Sequence, residues 1–306
     1  MMTGKIAGKI TEQIAEKITG TTKLLGVIGH PIAHSLSPVM HNAAIAHLGA
    51  DYVYLPLPVK PEDLPQAIAG FAAIGLRGFN VTIPHKQAVM PFLTQISDIA
   101  QAVGAVNTIW RTETGWAGTN TDVEGFLSPL RALPEGRSPN WSQSAAVILG
   151  NGGSARAVVA GCAQLGMAAI HVVGRDAEKL RAFQQSWRNS PLQVTLAVHT
   201  WETLPHLLPT ATLLVNTTPM GMHPHIHASP LGPEPGFMLK PGAIAYDLIY
   251  TPNPTQFLQQ AAALGATPIS GLEMLVQQGA AALRLWLGQE VPVEVMRQAL
   301  IERLRQ

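Results

Sequence analysis

The sequence predicts an α/β protein of two domains, with a parallel-type sheet in the first and a doubly wound parallel sheet in the second. Three observations carry this reading. The chain has 306 residues, enough for two domains of ~150. Short apolar runs alternate with segments of helical spacing, as parallel βαβ units require. One run, Ala145-Ala146-Val147-Ile148-Leu149, passes directly into Gly150-Asn151-Gly152-Gly153 and then into a helical stretch.

In chain order, Ile6, Ile10, Ile14 and Ile18 at four-residue spacing predict an amphipathic N-terminal helix. A buried-type strand over 24–28 then leads to a loop over 29–38 and a helix over 39–48 closed by Gly49. A strand over 52–57, a helix over 61–74 and a strand over 78–83 follow, with helical spacing after Pro84. Residues 128–144, rich in Pro, Ser, Gly and Asn, predict an exposed crossover. Beyond it come the strand over 145–149, a helix over 155–165, and strands over 169–173, 213–216 and 243–248. A helix over 274–287 closes the pattern, and the His-, Pro- and Gly-rich stretch 223–239 predicts a surface loop.

Composition narrows the class of partner. Lys and Arg total 20 against 19 Asp and Glu, a balance that gives no reason to expect nucleic acid or an anionic membrane. Apolar residues reach 47%, enough buried surface to offset the entropy of ordering. No stretch approaches the ~18 consecutive apolar residues of a membrane span. One cysteine, Cys162, forbids an intramolecular disulfide and a Cys-based metal cluster. The first residues lack an apolar run with a small-residue cleavage site, so a cytoplasmic location is expected.

The glycine turn predicts a Rossmann-like dinucleotide site. Glycines let the backbone turn tightly and approach a pyrophosphate, whose charge is favoured by the exposed N–H groups of a helix start. Gly150, Asn151, Gly152, Gly153 and Ser154 stand where that contact is made. The next strand ends at Gly174-Arg175-Asp176, with Lys179 four residues past the arginine. An arginine here pairs with a 2′-phosphate and favours NADP, whereas an acid accepts from a free ribose hydroxyl and favours NAD. Both are present, so NADP(H) is expected, with NAD as a weaker alternative.

On the substrate side, Ser35 and Ser37 flank a helix start, where two hydroxyls suit a small carboxylate or simply cap the helix. Gly78-Phe79-Asn80-Val81-Thr82-Ile83-Pro84-His85-Lys86 reads as a strand that delivers Lys86 to the carboxyl end of a parallel sheet. Asn107, Asn120 and Asp122 follow short apolar or glycine segments, as polar groups at loop tops do.

Together these pieces resemble the shikimate dehydrogenase family. The matching motifs occur in family order. They are Ser35-Leu36-Ser37-Pro38, Asn80 to Lys86, Ala105-Val106-Asn107-Thr108, Asn120-Thr121-Asp122 and the glycine turn. Asn216-Thr217-Thr218-Pro219-Met220-Gly221-Met222, Tyr246-Asp247-Leu248-Ile249-Tyr250 and Gly271-Leu272-Glu273-Met274-Leu275-Val276-Gln277-Gln278 follow. The resemblance implies that Lys86 and Asp122 are the catalytic pair and that Ser35 and Ser37 bind a carboxylate. By the same resemblance Thr82, Asn107, Tyr250 and Gln278 hold ring hydroxyls, and Leu248 and Gly271 join the cofactor set with Gly174, Arg175, Asp176 and Lys179. Two departures stand out: the family's Asn-Arg-Thr clamp reads Gly174-Arg175-Asp176, and its second arginine appears as Lys179.

The implied reaction is reversible reduction of 3-dehydroshikimate to shikimate with NADPH, a step of aromatic amino-acid biosynthesis. The implied domains are a helical extension over 1–22, a substrate domain over 23–125 plus 271–306, and an NADP domain over 126–270, with a cleft between the last two. The rival readings are a quinate/shikimate dehydrogenase with relaxed cofactor use, and a non-catalytic dinucleotide sensor; the presence of both Lys86 and Asp122 argues against the sensor. His223, His225 and His227 lack a neighbouring carboxylate or cysteine, so no metal is expected. Cys162, inside the helix after the glycine turn, is expected in the core. The expected partner is a small molecule; a homodimer is admitted by the sequence without a signal for it.

Overall fold

The computed structural model describes residues 18–188, 190–192, 194–232 and 237–306. The helix expected at the N-terminus lies outside these residues, apart from its last few. There, Thr21 and Thr22 donate their hydroxyls to the two carboxylate oxygens of Asp51, at 2.7 and 2.6 Å. The chain forms two compact units. The first comprises the described residues through Ala100, Ala105–Thr121 and Val276–Gln306; the second comprises Gln101–Gly104 and Asp122–Leu275.

The first unit holds six strands: β1 (Lys23–Gly29), β2 (Tyr52–Pro58), β3 (Gly78–Val81), β4 (Gln95–Ile96), β5 (Thr108–Thr112) and β6 (Gly115–Thr119). Their order is β2-β1-β3-β5-β6-β4. The β2-β1-β3 core is parallel, as the intervening helices Ser37–Leu48 and Leu64–Ala73 demand. β5 and β6 form an antiparallel hairpin that adds to β3. The hairpin escapes a sequence reading because its turn, Glu113-Thr114, lacks the Asn-Gly or Asp-Gly signature. Gly115 takes φ 145°, a conformation that L side chains resist.

Register decides what each face of this sheet presents. Phe79 pairs with Ile109, and both join Ile28, Leu64, Ile68 and Trp116 in one apolar core. Asn80 pairs with Thr108, so the alternation of a strand turns these two polar groups to the other face. There Tyr54 stacks on His41, ring centroids 4.1 Å apart, with Trp286 tilted against both. Trp286 Nε1 donates to Ile109 O at 2.9 Å, which fixes the last turn of the helix Leu272–Leu287 on this sheet.

The second unit has β7 (Ala145–Leu149), β8 (Ala169–Gly174), β9 (Leu196–Thr200), β10 (Ala211–Asn216), β11 (Ile244–Asp247) and β12 (Thr267–Ile269). All are parallel in the order β12-β11-β10-β7-β8-β9, the doubly wound arrangement the sequence predicts. β10 and β11 are buried throughout and β7 nearly so, which is why they read as unbroken apolar runs. The edge strands β9 and β12 carry His199, Thr200, Thr267 and Pro268, and give no such signal. The strand order reverses between β7 and β10, so the crevice above their carboxyl ends is the ligand position of such a sheet.

Several local bounds shift, among them the helix expected over 61–74, which is α-helical over Leu64–Ala73. The first long helix begins at Ser37 rather than 39, so Ser37 lies inside its first turn and no side chain caps it. The helix after the glycine turn begins at Gly153 rather than 155. The crossover stretch is helical to Arg131, because the helix Asp122–Arg131 absorbs Pro129 near its end.

Candidate active site

In the first unit, loop and helix geometry bring the two serines together. Ser37 N donates to Ser35 Oγ at 3.3 Å, and His41, one turn further on, donates Nδ1–H to Ser37 O at 2.8 Å. Because a carbonyl only accepts, His41 carries its proton on Nδ1. Burial lowers its pKa to about 4, only partly opposed by that carbonyl, so the ring is neutral at pH 7.

Lys86 occupies the second position of the short helix His85–Ala88 that follows β3. Its neighbour His85 is 1% exposed and donates Nε2–H to Val59 O at 2.7 Å, anchoring the turn. Lys86 O accepts from Val106 N at 2.8 Å, so the lysine turn and the Asn107 segment are joined through the backbone. Thr82 lies against Gly29, where a Cβ would stand 2.5 Å from Thr82 Cγ2; glycine is what lets the threonine sit there.

Asn107 is buried and its amide is locked. Its Oδ1 accepts from Thr121 N at 2.7 Å, Thr108 Oγ1 at 3.1 Å and Thr121 Oγ1 at 3.2 Å. Its Nδ2 donates to Thr121 Oγ1 at 3.0 Å and to Gln278 Oε1 at 3.4 Å. Thus Asn107 and Gln278, 171 positions apart, meet side chain to side chain.

In the second unit Asp122, buried, opens the helix Asp122–Arg131, where the helix dipole favours a carboxylate. The glycine turn follows β7. Gly150 has φ 105°, and a Cβ there would stand 2.7 Å from Thr217 Oγ1 and 3.1 Å from Thr218 Cγ2. Gly152 is different: it is exposed and nothing lies within 4 Å of a Cβ built on it. It precedes the twelve-residue helix Gly153–Gln164 with no side-chain cap, so the first-turn N–H groups face this open cradle. That geometry fits a pyrophosphate.

At the end of β8, Arg175 and Lys179 are exposed. Asp176 is the N-cap of Ala177–Ser186: its Oδ1 accepts from Glu178 N at 2.9 Å and Lys179 N at 3.1 Å. Those two bonds account for an acid at this position without a ribose hydroxyl. Leu248 and Gly271 touch, since a Cβ on Gly271 would collide with the Leu248 carbonyl. Tyr250 follows in the same loop, half-buried.

Asn216 and Asp247 stand inside motifs that assign neither of them a role. They are register partners on β10 and β11, both fully buried, and Asn216 Nδ2 donates to Asp247 Oδ1 at 3.0 Å. Asn216 Oδ1 accepts from Thr218 N and Oγ1, at 2.9 and 2.7 Å; Asp247 accepts from Ile249 N and Thr255 Oγ1, at 3.0 and 2.6 Å. The pair therefore shapes both loops that rise from these strands. Tyr54 and Asn80 are likewise missed; the available signal was an Asn inside the buried run Phe79-Asn80-Val81. Cys162 is buried, as expected, and burial raises its thiol. His223, His225 and His227 are exposed, and among the described residues no group of three or more His, Cys, Asp or Glu is placed to hold a metal.

Two family models match the chain, the shikimate dehydrogenase substrate binding domain over 27–109 and the shikimate 5′-dehydrogenase C-terminal domain over 271–301. The shikimate dehydrogenase (NADP(+)) of Nostoc sp. is 63% identical over 288 residues, covering 94% of this chain and 99% of that protein. The chain belongs to the shikimate dehydrogenase family. Among solved members of that family, the Thermus thermophilus enzyme in complex with NADP(H) and shikimate is 34% identical, with a TM-score of 0.78 over 92% of this chain and 99% of that one. The Listeria monocytogenes enzyme, in complex with shikimate and NAD, is 33% identical, with a TM-score of 0.82 over 92% and 98%. The two-domain α/β fold expected of a shikimate dehydrogenase is thus the one observed, and among the described residues no helix is long and apolar enough to cross a membrane.

Proposed function

We propose that the chain is an NADP-dependent shikimate dehydrogenase, an oxidoreductase that reversibly reduces 3-dehydroshikimate to shikimate. The observation that carries this reading is family membership across 94% of the chain together with an open glycine cradle at the switch point of the second sheet. The first unit is assigned to substrate and the second to cofactor.

NADPH, when bound, supplies the hydride; the pyrophosphate falls to Gly150–Ser154 and the 2′-phosphate to Arg175 and Lys179. Negative charge builds on the ring carbonyl oxygen as the reaction proceeds; the Lys86 ammonium offsets it, and the proton is assigned to the pair Lys86 and Asp122. Asp122 is assigned to the reacting hydroxyl. Ser35 and Ser37 take the carboxylate, while Thr82, Asn107, Tyr250 and Gln278 hold the ring hydroxyls. The lock on Asn107 matters here: bonds to Thr108, Thr121 and Gln278 fix the orientation of its amide before any ligand arrives. The capping role of Asp176 supports NADP over NAD, because it gives the acid at this position a use other than a ribose hydroxyl. The reading carries with it a cytoplasmic location, in keeping with a single buried cysteine, and a homodimer as the assembly for sedimentation to test.

The test is turnover of shikimate and of quinate with NADP and with NAD, measured by formation of the reduced nicotinamide. Shikimate with NADP is expected to give the highest kcat/KM. Comparable turnover of quinate favours the relaxed enzyme instead, and no turnover of either defeats the reading.

A further inference from the structure

The glycine turn carries one side chain that a pyrophosphate does not require. Backbone N–H groups and open space suffice for that contact, and the glycines supply both, yet position 151 is an asparagine. Gly150 N donates to Val173 O at 2.8 Å, which ties the start of the turn to the end of β8. Asn151 comes next, and its side chain lies toward that strand. Its Oδ1 is 3.4 Å from the point where a Cβ on Gly174 would stand, and Leu180 Cδ2 is 3.0 Å from the same point.

The amide is available to a ligand. Asn151 is half-buried, and among the described residues no hydrogen bond engages its side chain. An amide so placed adds nothing to the fold until something bonds to it, and an alanine would serve the turn as well. Its neighbours at the end of β8 are differently employed. Asp176 has Oδ1 committed to Glu178 N and Lys179 N, with Oδ2 3.7 Å from Lys179 Nζ. Gly174, where the family's clamp has its asparagine, offers no side chain. An amide reaches the same place from the loop of the adjacent strand.

We propose that Asn151 is a specificity-determining residue for the cofactor: its Nδ2–H donates to the 2′-phosphate beside Arg175, restoring from the glycine turn the amide that Gly174 removes from the strand end. This rests on the assignment of the 2′-phosphate to the end of β8 made above. A guanidinium and an amide then meet one anion from two neighbouring loops, and both are donors. A free ribose hydroxyl is the weaker partner, because a hydrogen bond to a neutral group contributes less than one to a charged group. The side chain therefore raises the preference for NADP more than it raises affinity for nicotinamide cofactors in general.

The experiment is steady-state kinetics with NADP and with NAD on Asn151→Ala, Asn151→Asp and Arg175→Ala, with melting temperature followed in parallel. The quantity read is kcat/KM for NADP divided by kcat/KM for NAD. Position 151 has no positive φ, so alanine enters without backbone strain. Asn151→Ala is expected to lower the ratio about tenfold, the factor for one hydrogen bond to a charged group. Asn151→Asp keeps the shape, sets a carboxylate against the phosphate and is expected to lower it further. A purely structural role would weaken both cofactors together, so an unchanged ratio in Asn151→Ala overturns the proposal whatever the melting temperature does. A ratio in Asn151→Asp no lower than in Asn151→Ala overturns it as well. Arg175→Ala distinguishes the two readings. If that variant leaves the ratio unchanged, the placement of the 2′-phosphate fails and the proposal with it; if it lowers the ratio while Asn151→Ala does not, the placement stands and Asn151 is not the reader.

Discussion

Asn216 and Asp247 face each other as register partners on adjacent parallel strands, joined by a 3.0 Å bond from amide to carboxylate where both side chains are fully buried. Burial raises the Asp247 pKa from 3.8 to about 6, against the opposing pull of Thr255, Ile249 and Asn216. A carboxyl raised on folding contributes stability that is present below its unfolded pKa and lost as pH rises through its folded one. Relative to Asp247→Asn, the wild type should therefore lose about 3 kcal/mol of unfolding free energy between pH 3.5 and pH 7, as the difference between the two pKa values implies. Denaturant unfolding of both proteins across that range checks it; a pH-independent difference would mean that Asp247 titrates normally.

The cap at Asp176 separates two roles that sequence alone leaves mixed. Arg175→Ala should weaken NADP at least tenfold and NAD little, since only NADP carries the phosphate that the guanidinium reads. Asp176→Ala should instead cost about 1 kcal/mol of stability, the usual value of an N-cap, and leave the NADP-to-NAD preference unchanged. Binding titrations with both cofactors and thermal melts of both variants make the comparison. A large rise in NAD preference or its loss on Asp176→Ala would show that the carboxylate touches the ribose.

Gly150 and Gly152 differ in what a methyl group would meet, so the same substitution should act differently at each. Gly150→Ala places a Cβ against Thr217 at a positive φ and should lower the melting temperature as well as NADP affinity. Gly152→Ala meets no protein atom within 4 Å and has φ −85°, so the fold should be indifferent while NADP affinity falls. Equal NADP affinity in Gly152→Ala and wild type would move the pyrophosphate elsewhere.

Much of this was legible because the second sheet is buried on both sides. Its central strands had to be apolar throughout, and the glycine turn had to follow one of them. The edge strands β9 and β12 were not legible, because half-exposed residues such as His199 and Thr267 satisfy an edge without an apolar run. The β5–β6 hairpin was missed for want of a turn signature. At the site, motif residues that point to solvent or ligand were found, whereas Tyr54, Asn80 and Asp247 act on other side chains through register, and spacing along one segment does not encode pairing across strands.

Lys86 acts on the reacting oxygen in this mechanism, and the kinetics of Lys86→Ala bear on that role before any other. The lysine turn is anchored by His85 and by the Lys86 carbonyl, contacts that the variant keeps, so it should fold. With shikimate and NADP, kcat should fall by about 10²–10⁴, the span of a lost acid–base group, with substrate KM within about threefold. A kcat near wild type with a raised KM would make Lys86 a binding residue and contradict the mechanism.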